Sequence, residues 1–137
     1  MNKRISLLFL LMLLNAFTVV YGQQTKIDSL ERVLETLDEN DTSRVNTLYS
    51  LAFIYIRKES SLDTIYDYGE KIQELSERNE YKEGLVLHKY IHASYYSLIG
   101  DTDKELALLK DGIEIADKNN LLKWSKILRR QYLEFRV

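Results

Sequence analysis

The chain has 137 residues, enough for one domain, and a formal net charge of −2; with no cysteine, it excludes disulfide scaffolds, thiol catalysis and thiolate metal sites. It has no proline and 5 glycines, so the usual punctuation of strands and hairpins is missing and helices are expected throughout.

Residues 1–22 have the layout of a secretory signal peptide. Lys3 and Arg4 give a positive start, Ile5 to Val20 is an apolar run broken only by Ser6, Asn15 and Thr18, and Gly22 offers a small residue before Gln23. Sixteen residues fall short of the ~20 that a membrane-spanning helix needs. The expectation is therefore cleavage before Gln23 and export to the periplasm or the exterior, with an uncleaved membrane anchor as the alternative. No cysteine follows the apolar run, which excludes lipoprotein processing. Cleavage removes two of the 19 basic residues and none of the 21 acidic ones, leaving a net charge of −4.

The mature chain divides into an N-terminal amphipathic helix within residues 23–41 and a repeat region, 42–137. In the first helix, over Lys26 to Glu39, Ile27, Leu30, Leu34 and Leu37 make one apolar stripe. Asn40-Asp41-Thr42-Ser43 is a capping-competent break. The second helix, Ser43 to Lys58, carries Leu48, Leu51, Ala52 and Tyr55 on one face and Val45, Tyr49, Phe53 and Ile56 on another, which predicts burial on two sides. Ser60-Ser61 precedes a third helix, Leu62 to Asn79, with Ile65, Tyr68, Ile72 and Leu75 inward and Gly69 on the same face. Tyr81-Lys82-Glu83-Gly84 reads as a connection. A fourth helix then runs from Leu85 to Ile99 and stops at Gly100. Asp101-Thr102 opens a fifth, where Thr102 and Glu105 fit a capping box and Leu106, Leu109, Ile113 and Ala116 form the stripe. After Asn119-Asn120, a sixth helix from Leu121 to Phe135 places Leu121, Trp124, Leu128, Tyr132 and Phe135 on one side. Left as the end of a stack, this helix is a place where the chain can self-associate.

Three short phrases recur along these helices: Leu51-Ala52-x-x-Tyr55, His92-Ala93-x-x-Tyr96 and Leu128-Arg129-x-x-Tyr132. A large residue, a small one and a tyrosine three further on describe a face packed closely against a partner helix. Recurrence at roughly 35–41 residues is the mark of stacked helical hairpins.

These phrases resemble tetratricopeptide (TPR) repeats. The second-helix positions of that family fall on Ile65, Gly69 and Ile72, and again on Glu105, Leu109 and Gly112, where Gly112 matches in kind. Arg129 replaces the small residue of the third copy, and the proline that often closes a repeat is missing. The resemblance covers about residues 42–135, some two and a half repeats. The signal peptide, Ile27-Asp28-Ser29-Leu30 and the run from Asp41 to Ala52 are also similar to the secreted N-terminal repeat region of Bacteroidetes sensor kinases and regulators. The resemblance implies an all-α, TPR-like helical-hairpin solenoid of about six antiparallel helices. It implies an exported, non-enzymatic protein–protein interaction module; the alternative is a truncated sensory or regulatory input domain of a TPR-containing histidine kinase or transcriptional regulator. The partner is then a protein or peptide.

In this register the concave face presents Asn46, Tyr49 and Phe53, then Leu87, Tyr90 and Ser94, then Lys123, Lys126 and Arg130. TPR domains that hold a peptide's terminal carboxylate use a lysine and an arginine at the places of Lys126 and Arg130. Tyr49, Phe53 and Ser94 replace the remaining lysine and asparagines, so a full clamp is not expected. The looser expectation is an extended peptide with an apolar segment on Tyr49, Phe53 and Tyr90 and an acidic group near Lys126 and Arg130.

No catalytic motif appears, so an enzyme is not expected and neither is a cofactor. His88 and His92 stand four apart on one helix face, a spacing that can ligate a metal, but Lys89 follows His88 and no third ligand is evident nearby in sequence. They are read as packing or surface histidines. Asp101, Asp103 and Glu105 are read as the acidic first turn of a helix rather than a calcium loop. Lys118, Lys123, Lys126, Arg129, Arg130 and Arg136 face only Glu134 in the last twenty residues. An exported acidic protein does not fit nucleic-acid binding, and this run is read as a solvated helix face.

Overall fold

A computed structural model describes residue 22 and residues 24–134. The expected signal segment lies, apart from Gly22, outside the described residues. So do Phe135 and Arg136.

Six helices and no strand make up the described chain. They are α1 (residues 24–36), α2 (Thr42–Arg57), α3 (Leu62–Arg78), α4 (Lys82–Leu98), α5 (Thr102–Lys118) and α6 (Leu122–Glu134). Each of α2 to α5 packs on the next in sequence, and α2 also packs on α4. This is a stack of helical hairpins, α2–α3 then α4–α5, with α6 laid on the second. From Thr42 onward, helices begin at Thr42, Leu62, Lys82, Thr102 and Leu122, twenty residues apart. The hairpin repeat is thus forty residues. Against that spacing the phrase at Leu128 sits four residues early, which is close to one helical turn and therefore keeps the same face inward.

Local chemistry explains the regular punctuation. Glu59, Glu80, Gly100 and Asn120 each take a positive φ just past a helix end. In each case the next amide donates to a carbonyl five residues back: Ser60 to Tyr55, Tyr81 to Ser76, Asp101 to Tyr96 and Leu121 to Ala116. That left-handed closure satisfies orphan carbonyls and ends the helix without proline. At the helix starts, Asp41 accepts from the Ser43 amide at 2.7 Å and Asp101 from the Lys104 amide at 3.2 Å. Ser61 stands before α3 but makes no side-chain cap. The capping box expected at Thr102 is not formed either, because Asp101 is the cap and Glu105 turns inward, 1 % exposed. The Arg44 guanidinium donates to the carbonyls of Leu34 and Leu37 at 2.8 and 3.0 Å, which ties the end of α1 onto α2.

Leu51, Ile65, Ile72, Leu87, Ile91, Leu109 and Leu128 are fully buried along the axis of the stack. Each contributes about 1.5–3 kcal/mol by leaving water. The ion pairs on exposed surfaces, such as Lys118 with Glu114, are screened by solvent and add little. The hairpin stack is therefore held by its apolar seam. Three buried glycines tighten that seam. A Cβ on Gly69 would lie 2.2 Å from His92 Cδ2, one on Gly84 2.1 Å from Ser76 Oγ, and one on Gly112 2.9 Å from Leu128 Cδ1. Gly84 is thus no loop residue. It belongs to the first turn of α4, which starts at Lys82 rather than Leu85, and it lets α4 approach α3.

Candidate functional site

Two clusters of side chains stand out, one on the face shared by α2, α4 and α6, the other between α3 and α4.

On the first face, Tyr49 is the hub. Its ring lies 6.0 Å from Phe53 on the same helix, 6.1 Å from Tyr90 on α4 and 5.6 Å, edge-on, from Trp124 on α6. Trp124 closes the set 6.0 Å from Tyr90. Burial, with Tyr90 second, pushes the Tyr49 hydroxyl up to about 12, so it stays protonated as a donor. Glu83, in the first turn of α4, accepts from Trp124 Nε1 at 2.8 Å and from the Tyr81 hydroxyl at 3.4 Å. Aromatic pairs of this kind add about 0.5–1.5 kcal/mol beyond area burial. The belt therefore joins three first helices as well as presenting a surface.

The expected groove residues divide accordingly. Tyr49, Phe53 and Tyr90 are half-buried and belong to this belt, while Asn46, Lys123, Lys126 and Arg130 are exposed. Lys123 Nζ lies 5.7 Å over the Trp124 ring. Arg130 shares a shallow depression with Tyr90, Ile127, Gln131 and Glu134. Neither Lys126 nor Arg130 has an ion-pair partner among the described residues, whereas Arg129 pairs with Asp117 and Lys118 with Glu114. Leu87 and Ser94, by contrast, are not at the surface. Leu87 is 2 % and Ser94 6 % exposed, and the Ser94 hydroxyl donates back to the Tyr90 carbonyl at 2.9 Å. Both are buried on α4, whereas Tyr90 between them stays half-buried. Trp124, itself 6 % exposed, packs against Tyr49 and Tyr90 and is tied to Glu83. A sequence signal for Glu83 existed: it precedes Leu87, Tyr90 and Ser94 at helical spacing, and only the misplaced start of α4 cut it off.

The second cluster centres on the two histidines. His92 covers Gly69, stacks on Tyr66 at 4.6 Å and lies 4.4 Å from the His88 ring, centroid to centroid. His88 Nδ1 faces the Gly69 carbonyl at 3.0 Å. A carbonyl only accepts, so this nitrogen donates. His92 Nε2 faces the Tyr66 carbonyl at 3.3 Å and a Glu70 carboxylate oxygen at 3.4 Å. Desolvation by burial lowers both imidazoles, His88 to about 4, so both are neutral at pH 7. Glu70 is the partner that sequence reasoning did not find. It lies on α3, eighteen residues before His88, and only the antiparallel register across the 79–81 turn brings it there.

Asp101, Asp103 and Glu105 do not converge. Asp101 caps α5 and pairs with Lys104 at 3.0 Å, while the buried Glu105 takes a hydrogen bond from Gln131 on α6. No described helix is long and apolar enough to cross a membrane. Comparison with protein families, with curated proteins and with solved structures finds no match to this chain.

Proposed function

We propose that this chain is an exported protein-interaction module of the TPR kind, which takes an extended peptide across the face of α2, α4 and α6. The observation that carries the reading is the aromatic belt of Tyr49, Phe53, Tyr90 and Trp124 beside Lys126 and Arg130, two cations without an ion-pair partner among the described residues. The half-buried rings of Tyr49, Phe53 and Tyr90, backed by the buried Trp124, offer apolar contact at small entropic cost, and the two cations at one end favour an acidic group there. An arginine–carboxylate pair adds directional hydrogen bonds, although at an open face its contribution is modest and falls with salt. No catalytic or cofactor role is part of this proposal.

Affinity capture from an envelope fraction tests it. Wild type and the double variant Lys126→Ala with Arg130→Ala are used side by side at low and moderate salt. The expected result is a partner retained by wild type at low salt and depleted severalfold by the double variant. Equal retention by both proteins at low salt ends the reading.

A further inference from the structure

We propose that Glu70, His88 and His92 bind one divalent transition-metal cation of the zinc type between α3 and α4. One donor atom from each of these residues lies within 4.8 Å of the other two. A tetrahedral ion with bonds of about 2.0–2.1 Å holds its ligand atoms about 3.3–3.4 Å apart. His92 Nε2 and the Glu70 oxygen already stand at 3.4 Å. The His88 nitrogen lies within 4.8 Å of both, so bringing it to tetrahedral spacing takes a side-chain adjustment of at most about 1.5 Å, within reach of rotamer changes.

The surroundings match what a metal asks of its ligands. Donation of His88 Nδ1–H to the Gly69 carbonyl selects the tautomer whose Nε2 carries a lone pair, the usual outer support of a metal-bound histidine. Coordination through His92 Nε2 exchanges its contact with the Tyr66 carbonyl for the metal, and the ring proton moves to Nδ1. Glu70 is 51 % exposed, so the ion has a path from solvent and room for a water as fourth ligand.

Packing does not demand imidazoles here. His88 is the seventh residue of its helix, and the seventh residues of α2 and α6 are the buried leucines Leu48 and Leu128. His92 is the eleventh, and its counterparts are Ala52 and Tyr132. At the position of Glu70 in the next hairpin stands Lys110, so the three donors occur together at one junction only.

Equilibrium dialysis of the purified protein against Zn²⁺, with elemental analysis, tests the site. The expected result is one Zn²⁺ per chain, with Co²⁺ giving the strong visible absorption of a tetrahedral site. Two variants keep the fold. Glu70→Gln alters an exposed side chain, and His88→Leu installs the residue that α2 and α6 carry at that place. Each is expected to weaken Zn²⁺ binding at least tenfold while the metal-free protein melts within a few degrees of wild type. Zn²⁺ uptake that is absent, that exceeds one per chain without saturating, or that is undiminished in either variant overturns the proposal.

Discussion

Two junctions join successive hairpins, α3 on α4 and α5 on α6, and they solve one packing problem with different chemistry. Each puts a helical glycine against a large side chain of the following helix. At the first, Gly69 receives the His92 ring, and Gly84 receives Ser76 from the opposite side. At the second, Gly112 receives a methyl of Leu128, with Lys89 Cβ as its next neighbour at 3.2 Å. The second junction fills its glycine, at a different turn of the helix, with an aliphatic side chain instead of an imidazole. The imidazoles, the carbonyl contacts and Glu70 at the first are additions to the fold rather than requirements of it, and this is where a ligand site can be built without loss of packing.

The largest expected effect separates the middle of the stack from its end. Ala93 is the twelfth residue of α4 and 0 % exposed, whereas Leu133, the twelfth of α6, is 54 % exposed. Ala93→Arg forces an unpaired guanidinium between packed helices and is expected to cost more than about 4 kcal/mol, enough to unfold the domain. Leu133→Arg at the same register is expected to change stability by less than about 0.5 kcal/mol. Circular dichroism during thermal melting reads both. Similar melting of the two variants would show that the forty-residue register is wrong.

A second pair of variants compares the junctions directly. In Gly69→Ala the new methyl overlaps an imidazole ring fixed by Tyr66, His88 and two acceptors, and a loss of about 2–3 kcal/mol is expected. In Gly112→Ala it meets the movable end of Leu128, and the gain of about 0.5–1 kcal/mol from replacing a helical glycine offsets most of the crowding. Urea denaturation should therefore find Gly112→Ala within about 1 kcal/mol of wild type. Equal losses at the two sites would mean that the first junction is no more tightly specified than the second.

Most of this architecture was legible in the sequence, because the apolar stripes are long and the breaks between them are short and polar. The errors were local. Gly84 looked like a loop marker, yet its lack of a side chain serves the contact with Ser76, and reading it as a turn removed Glu83 from the concave face. Thr102 and Glu105 had the spacing of a capping box, but Asp101 one residue earlier holds the amide and frees Glu105 to turn inward. A stripe at i, i+3 and i+7 spans a wide arc, so Leu87 and Ser94 are buried while Tyr90 between them is only half-buried. Glu70 was out of reach for a different reason. Its approach to His92 depends on the pairing of two helices, and no local pattern in either helix encodes it.

The smallest effect concerns the one buried acid of the second junction. Glu105 lies on α5, 1 % exposed, with the Ser97 hydroxyl and the Gln131 amide as its partners. Neither partner carries a charge, and desolvation raises the carboxyl above its usual range. In the unfolded chain the group loses its proton near 4.5, while the folded chain holds on to it until higher pH. Over that window the unfolded state is the more ionised one, so stability falls as pH rises and stays lowered at neutrality. Glu105→Gln keeps the shape and the hydrogen-bonding capacity but cannot ionise. Its melting temperature is expected to exceed that of wild type by a few degrees at pH 7, and the difference should shrink toward zero at pH 4, where both side chains are neutral. A pH-independent difference would assign the effect to packing against Gln131 instead of to the buried charge. A destabilised variant at pH 7 would mean that the ionised carboxylate is better paired across α5 and α6 than its two neutral partners allow.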